Sequence, residues 1–394
     1  MVEGKDTAFA ARDCVLFSTA DWDEPYWTNK QHIADRLAKR GHQVLYIESP
    51  GIRVPRANAR DLFRIWDRLK RAFTPPKKVD QTLWVYAPLT IPFGHKSRFV
   101  RAFNRWLLGS AIRKWLKRNR NGDDVIVWTY HPYIDGIMDG LPVRSTIYHC
   151  VDDLAAIPGV DADTFRKAEV TLLKRADRVF TTSPYLQSHC AAVAGERSVY
   201  ERNVADIEHF SQARHAGTIP AELAKIGGPK LCYTGVLSDY KLDFSLVEQC
   251  AIARPDWNWI FIGDEPEGQK SPVVGRLKEL PNVYFLGYRS YDTLPNYLRG
   301  TDIAVLPNLT TGYMLGVFPM KLYEYMAAGR PIISTAIGAL ADIKDQVAVA
   351  SDPTEWIYNA EKLLTSPPEA IGLHDPKLLN FSWEARLDRM LALI

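Results

Sequence analysis

The chain has 394 residues, 46% of them apolar and 24% charged, which is enough to bury a large core and suggests two domains of similar size. Its five cysteines (Cys14, Cys150, Cys190, Cys232, Cys250) are odd in number, widely spaced and lack a C-x-x-C pair, so neither a disulfide framework nor a zinc site is suggested and the thiols read as small buried hydrophobes. Net charge is only +3, yet residues 1–202 hold 32 Lys and Arg against 23 Asp and Glu while the remainder holds 17 against 23, a basic half followed by an acidic one.

No apolar run reaches the roughly 18 residues of a membrane-crossing helix. The opening MVEGKDTAFAARD carries acids where a secretory signal has a basic start and an apolar core, so a cytoplasmic protein is expected. From there strands and helices alternate. CVLFST reads as a strand, Thr28 to Arg40 as a helix stopped by Gly41, and HQVLYIE as the next strand. Two segments, Arg53 to Lys78 and Lys96 to Arg120, carry almost all of the basic excess. Each has an apolar stripe at helical spacing: Leu62, Ile65, Trp66, Leu69 and Phe73 in the first, and Val100, Phe103, Leu107, Ala111 and Trp115 in the second. TLWVYAP, DVIVWTY, STIYHC and RVFTTS read as further strands, with helices at Ala162 to Arg175 and after Ser183-Pro184, where Ser caps and Pro opens the first turn. Short apolar strands separated by helices imply a parallel sheet covered on both faces.

The polar, turn-rich stretch from Asn203 to Pro229 reads as a crossover into a second domain. There the alternation restarts with the strands KLCYTG, NWIFIG, VYFLG, DIAVLP and PIIST, and the final FSWEARLDRMLALI reads as a helix that can return to the first domain. The expected architecture is α/β: two Rossmann-like, doubly wound parallel-sheet domains over residues 1–205 and 206–375 facing a central cleft, with 376–394 crossing back.

Within the second domain, FPMKLYEYMAAGRPIIST puts Pro319 at the expected first helical position and a Gly329, Pro331 stop before a buried strand. Lys321 and Glu324 are three apart and project from one side of the first turn, where a lysine can neutralise a diphosphate and a carboxylate can accept two hydrogen bonds from a ribose diol. The alternative is an exposed ion pair on an ordinary helix.

The segment PMKLYEYMAAGRPII resembles the donor-site helix of GT-B glycosyltransferases, in particular the family 4-like (group 1) enzymes of bacterial surface polysaccharides. YTGVLSDYKLD, FIGDEPEG, the run from Asn282 to Asn308 and NVADIEHF match that family's C-terminal half in order and spacing. YHCVDDL and TTSPYL are similar to teichuronic-acid glycosyltransferases and, more distantly, to the xanthan glucuronosyltransferase. The resemblance implies a nucleoside-diphosphate sugar donor, UDP-linked. Lys321 would sit on the diphosphate, Glu324 on the ribose, Tyr288 at the rim of the nucleobase pocket and Lys241 at a second phosphate contact, with Met320 and Gly316 in the same donor segment. Lysine and a helix N-terminus take the place of a metal at the diphosphate, so no cofactor and no metal are expected. Retaining members carry a Glu where this chain has Gly316, and their glycine-rich loop after the first strand is replaced here by ADWDEPYWTNKQH; both departures point to inversion, with one protein base. A retaining transferase, a catalytically silent nucleotide-sugar-binding protein and a sugar-nucleotide epimerase are the rival readings.

Asp152 and Asp153 follow the strand STIYHC at a carboxyl end, and the xanthan enzyme's catalytic Asp aligns with Asp152, which makes it the favoured base; Asp153 is the second candidate, and a helix cap is the structural alternative. His131 also ends a strand and can act as base, donor-sugar contact or structural histidine. Asp21, Trp22, Trp27, Asn29, Lys30 and His32 follow the first strand, where an acceptor would enter and tryptophan faces suit sugar rings, or where the rings simply pack the loop. A glycan or polyprenyl-linked acceptor is expected. The basic aromatic segments 53–78 and 96–120 suit anionic headgroups on the inner face of the cytoplasmic membrane, or they are crossover helices with solvated cationic faces. No nucleic-acid motif accompanies the charge.

Overall fold

A computed structural model describes residues 12–49, 75–88, 98–119, 124–134, 136–157, 159–265 and 271–394. The chain divides into two compact units, one of Met1–Glu201 with Leu387–Ile394 and the other of Arg202–Arg386. The apolar stripe from Leu62 to Phe73 lies outside the described residues.

The first unit is built on an eight-stranded sheet: β1 (Asp13–Phe17), β2 (Gln43–Ile47), β3 (Lys77–Asp80), β4 (Leu83–Tyr86), β5 (Val125–Thr129), β6 (Val143–Cys150), β7 (Arg178–Thr181) and β8 (Ser198–Tyr200), in the order β3-β4-β2-β1-β5-β6-β7-β8. All neighbours are parallel except β3, which pairs antiparallel with β4. That edge strand, KKVD, is exposed along its length and polar, which is why apolar patterning does not reveal it. The chain leaves β1 toward β2 on one side and returns to β5 on the other, so the carboxyl ends of β1 and β5 flank a topological switch point.

The second unit has six parallel strands: β9 (Lys230–Thr234), β10 (Asn258–Ile262), β11 (Val283–Gly287), β12 (Ile303–Leu306), β13 (Ile332–Thr335) and β14 (Ala348–Ala350), in the order β11-β10-β9-β12-β13-β14. Its switch point lies between β9 and β12. These two strands pair only at Ile303↔Leu231 and Ala304↔Cys232, then part toward their carboxyl ends. The backbone N–H of Thr234 in β9, with no partner across that gap, donates instead to the phenol oxygen of Tyr325 at 2.9 Å. Tyr325 belongs to the helix Lys321–Ala327, so the parted strands receive that helix as a wedge.

Three glycines end the neighbouring strands β9, β10 and β11. Gly235, Gly263 and Gly287 all have positive φ, and a Cβ on Gly263 would stand 2.0 Å from the Gly235 carbonyl oxygen. The close approach keeps the strand ends bare of side chains.

Packing also corrects the expected stripe on the helix Arg98–Asn119. Of the expected stripe, Trp115 is buried and Ala111 packs against the core, but the buried apolar face continues through Leu108, Ile112 and Leu116, while Phe103 faces outward. The helix outruns the core: its second half packs against the sheet, and Phe99 and Trp106 in its first half are 87% and 62% exposed. All five cysteines are buried and free. At the end of the chain, Arg178 Nε donates to the Leu393 carbonyl at 2.8 Å and Arg389 pairs with Glu201 at 2.9 Å, fastening Leu387–Ile394 within the first unit.

Gly263→Ala is expected to cost more than about 2 kcal/mol in urea unfolding, because the obstacle is backbone and φ is +141°. Gly275→Ala, in the helix Pro272–Leu277 with open space around the new methyl, should gain about 0.5 to 1 kcal/mol. Equal effects would contradict the close approach.

Candidate functional site

In the second unit the helix Lys321–Ala327 is seven residues long and begins two positions later than expected, with Met320 as its N-cap. Pro319 stands just before it, and its carbonyl accepts the Leu322 N–H at 3.3 Å, a tight first turn. The other end is held by Arg214, whose guanidinium donates to the carbonyls of Ala327 and Met326 at 2.6 Å each and of Ile371 at 2.7 Å. Those bonds supplement the Gly329 N–H, which donates to the Met326 carbonyl at 3.0 Å from a left-handed φ of +68°, in satisfying the helix-terminal acceptors. Asn203 ties the preceding loop down by donating to the Phe318 carbonyl at 2.6 Å.

This helix is not an exposed one, and Lys321 and Glu324 do not form the surface ion pair that their spacing allows. Glu324 is only 8% exposed, and neither side chain takes a hydrogen bond or an ion pair from any described residue. Lys321 instead reaches the glycine ledge: a Cβ on Gly235 would meet its Nζ at 2.6 Å, and the ammonium lies 5.9 Å from the Tyr233 ring centre. Burial lowers the Lys321 pKa, Glu324 opposes that shift and the Lys241 charge adds to it. Burial raises the Glu324 pKa against the pull of Lys321 and His209, with Asp206 adding to the rise. A half-buried lysine and a buried carboxylate are therefore partly withdrawn from water without neutralising each other in a hydrogen-bonded pair, an arrangement that a ligand bearing the complementary groups would complete.

Lys241 is the second cation within electrostatic reach of Lys321, its ammonium 5.6 Å from the Tyr240 ring and 5.3 Å from the Tyr313 ring. Gly316 is buried at the end of the 3-10 turn Gly312–Gly316, so no carboxylate enters from that position. Met320 is half-buried beside Lys321. Tyr288 follows Gly287 at the end of β11, is partly exposed, and is oriented by its N–H donating to Asp264 Oδ1 at 3.1 Å. His209, stacked on Tyr291 at 4.5 Å and bonded to its carbonyl at 3.0 Å, stands near Glu324; sequence reading did not single it out, since its contact spans 82 positions. The strand-then-glycine pattern in YTG, FIG and FLG was the available signal for the ledge. A cavity of about 430 Å³ at the carboxyl ends of β12, β13 and β14 adjoins this group through Leu309, whose N–H donates to the Lys241 carbonyl at 2.8 Å. Its acids Asp243 and Asp352 are occupied as helix caps.

In the first unit Asp152 and Asp153 follow β6 and differ sharply. Asp153 is buried and clamped by Arg166, with Nη2 2.6 Å from both carboxylate oxygens; its side chain caps nothing. Arg166 also binds Glu169 at 2.9 Å, and Glu169 accepts from the Tyr148 phenol at 2.7 Å and meets His189 at 2.9 Å. Burial works against the Glu169 charge, but bonds from His189, Tyr148 and Arg166 outweigh it and hold its carboxyl below the ordinary value. The Asp152 side chain is partly exposed and lies 3.6 Å from the Lys30 ammonium.

His131 is buried, and its Nδ1 accepts the Tyr133 N–H at 3.2 Å, which leaves the proton of the neutral ring on Nε2. Burial lowers its pKa to about 4, so the ring is a neutral donor at pH 7 rather than a proton acceptor. Of the residues after β1, Trp22 and Trp27 pack on each other at 4.9 Å, Trp22 packs on Tyr46 at 5.1 Å, and Trp27 on His32 at 5.5 Å. Asp21 accepts from Gln31 at 3.0 Å through its carbonyl, and the Asn29 carbonyl accepts from Tyr130 at 3.0 Å. Of that set, Lys30 is brought against a candidate catalytic group, Asp152.

Comparison with known proteins bears on both units. Residues 228–366 match the family described as "Glycosyl transferases group 1". Over 376 residues the chain is 24% identical to TuaH of Bacillus subtilis, named as a teichuronic acid biosynthesis glycosyltransferase, covering 89% of this chain and 88% of that one. The fold is that of sucrose-phosphate synthase from Thermosynechococcus elongatus (TM-score 0.68, 15% identity, 97% and 98% of the two chains). It is equally that of Anabaena Alr3699/HepE, solved in complex with UDP and glucose (TM-score 0.64, 16% identity, 97% and 98%).

Because the Glu324 pKa is raised on folding, the stability linked to its protonation is full below the unfolded carboxyl pKa and is lost as pH rises through the folded one. Glu324→Gln should therefore stabilise the ligand-free protein by roughly 1 kcal/mol at neutral pH, with the gain vanishing toward acid pH. Urea unfolding at several pH values checks this. A pH-independent loss of stability would mean that Glu324 is satisfied within the protein.

Proposed function

We propose that this chain, a glycosyltransferase of GT-B fold with a group 1 domain over residues 228–366, moves a hexosyl or glucuronosyl unit from a UDP-sugar to a glycan or polyprenyl-linked glycan in cell-surface polysaccharide synthesis. The observation that carries the reading is the half-buried Lys321 and buried Glu324, mutually unpaired, at the switch point of the second unit. Lys321 and Lys241 offer the two positive charges a diphosphate needs, and Glu324 can accept both hydroxyls of a ribose. Tyr288 offers a ring beside the nucleobase. The neighbours solved with UDP, and the teichuronic-acid relative, support the donor class and the pathway class.

The transfer is read as inverting. The acceptor oxygen attacks the anomeric carbon from the face opposite the nucleotide, and its proton passes to Asp152. The bond from that carbon to the β-phosphate oxygen breaks with its electron pair staying on the diphosphate, whose charge Lys321 and Lys241 balance. Asp152 suits the base because it is the accessible one of the pair, whereas Asp153 is engaged twice by Arg166. His131 is a weak base with its acceptor nitrogen occupied, and Gly316 supplies no carboxylate for a retaining mechanism.

No described helix is long and apolar enough to cross a membrane. Peripheral docking on the inner face of the cytoplasmic membrane fits the first half of the helix Arg98–Asn119, where Phe99, Phe103 and Trp106 are exposed on a segment whose charges are all cationic. Co-sedimentation with phosphatidylglycerol vesicles should fall in Trp106→Ser and in high salt; binding equal to that on phosphatidylcholine vesicles would contradict docking.

Asp152→Asn should keep fold and UDP affinity but lose turnover on the order of 100- to 10,000-fold. Asp153→Asn, which leaves Arg166 short of a partner, should lose stability as well as rate. Near-normal turnover of Asp152→Asn at saturating substrates would overturn the assignment, and proton NMR of the product's anomeric centre should report inversion.

A further inference from the structure

The carboxyl ends of β5, β6 and β7 are neighbours in the first sheet, and each is followed by a side chain that the transfer step leaves unused: Tyr133, Asp153 and Tyr185. Tyr133 is 37% exposed and Tyr185 44%, unlike the tryptophans after β1, whose rings are spent on packing. Both rings are braced from behind. Tyr133 contacts Phe165 edge to face at 5.9 Å and is tied through its N–H to His131. The Tyr185 phenol lies 3.4 Å from Asp153 Oδ2, which the adjacent Arg166 holds. Phe165 and Arg166 are consecutive, so the two tyrosines rest on the same turn of the helix Ala162–Arg175. Beneath that turn the Arg166, Glu169, His189 and Tyr148 network removes the slack.

Two partly exposed, immobilised rings on either side of the strand end that carries Asp152 are placed for a ligand with flat C–H faces and a rim of hydroxyls. We propose that Tyr133 and Tyr185 are the platforms on which pyranose rings of the acceptor stack. Arg166 and His189, both partly exposed, lie within the same patch as hydrogen-bonding groups for its hydroxyls, and Asp152 meets the hydroxyl that reacts. This rests on the reading of Asp152 as the base. It assigns acceptor selection to carbohydrate itself, not only to a lipid anchor: an aromatic ring held rigidly loses little freedom on stacking, and a sugar's axial C–H groups supply apolar area that water releases.

The test uses saturation-transfer NMR on the full chain with methyl β-D-glucopyranoside, methyl β-D-glucuronide and methyl N-acetyl-β-D-glucosaminide, alongside UDP titration. At least one glycoside should receive saturation, strongest on the axial protons of one ring face. That signal should drop about five-fold or more in Tyr133→Ala and Tyr185→Ala and stay within about two-fold in the Phe variants, because the ring and not the hydroxyl is the platform. Tyr133→Leu and Tyr185→Leu, which keep apolar volume against their supports, should lose it equally. UDP affinity should be unchanged throughout. No saturation of any glycoside by wild type, or wild-type signal in the Ala and Leu variants, overturns the platforms. If UDP fails to bind while a glycoside does, the donor reading falls and the platforms stand.

Discussion

The constraint on which the rest of this structure depends is that one short helix must carry a half-buried lysine and a buried glutamate without letting them quench each other. Left in solvent, side chains three apart would form a weak ion pair. Here Lys321 is drawn toward Gly235 and the Tyr233 ring, while Glu324 sits in the field of His209 and Asp206. Keeping the charges apart and partly withdrawn from water is unfavourable for folding, so the helix has to be held by other means. Tyr325 completes the β9 backbone, Arg214 satisfies the helix's last carbonyls, and Asn203 pins the loop before it. Each of those groups is polar and engaged with backbone, which is what lets the charged pair remain available.

Sheet topology explains why this happens where it does. Parallel strands that change direction of winding part at their carboxyl ends, and β9 and β12 stop pairing after two residues. The helix enters that opening, and the bare glycine ledge beside it leaves room for backbone-close contact with a flat, charged ligand. The first unit repeats the logic with different chemistry: its strand ends carry one accessible carboxylate, one clamped carboxylate and two braced tyrosines.

Much of this was legible along the chain because it is local. The strands CVLFST, KLCYTG and NWIFIG are continuous apolar runs, and Lys321 with Glu324 are near neighbours in sequence, so spacing alone flagged them. Very short or polar strands without an apolar run, such as β3, β8 and β14, offer too little pattern to stand out. The stripe on Arg98–Asn119 held at Ala111 and Trp115 but failed at Phe103, because periodicity assigns a face and not how far the core extends under it. The pairing of Asp153 with Arg166, 13 positions apart, was invisible for a different reason: nothing at Asp153 announces its partner. The distinction between Asp152 and Asp153 therefore appears only when side chains are placed.

Ligand truncation tests the central claim most directly. Calorimetric affinities of uridine, UMP, UDP and 2′,3′-dideoxyuridine diphosphate are compared for wild type, Lys321→Met and Glu324→Gln. If these two charges are completed by a nucleoside diphosphate, Lys321→Met weakens only the phosphorylated ligands, most for UDP, by roughly 1.5 to 3 kcal/mol. Glu324→Gln weakens every ligand that keeps its ribose hydroxyls and leaves the dideoxy compound unchanged. Uniform losses across all four ligands, or none, would contradict the account.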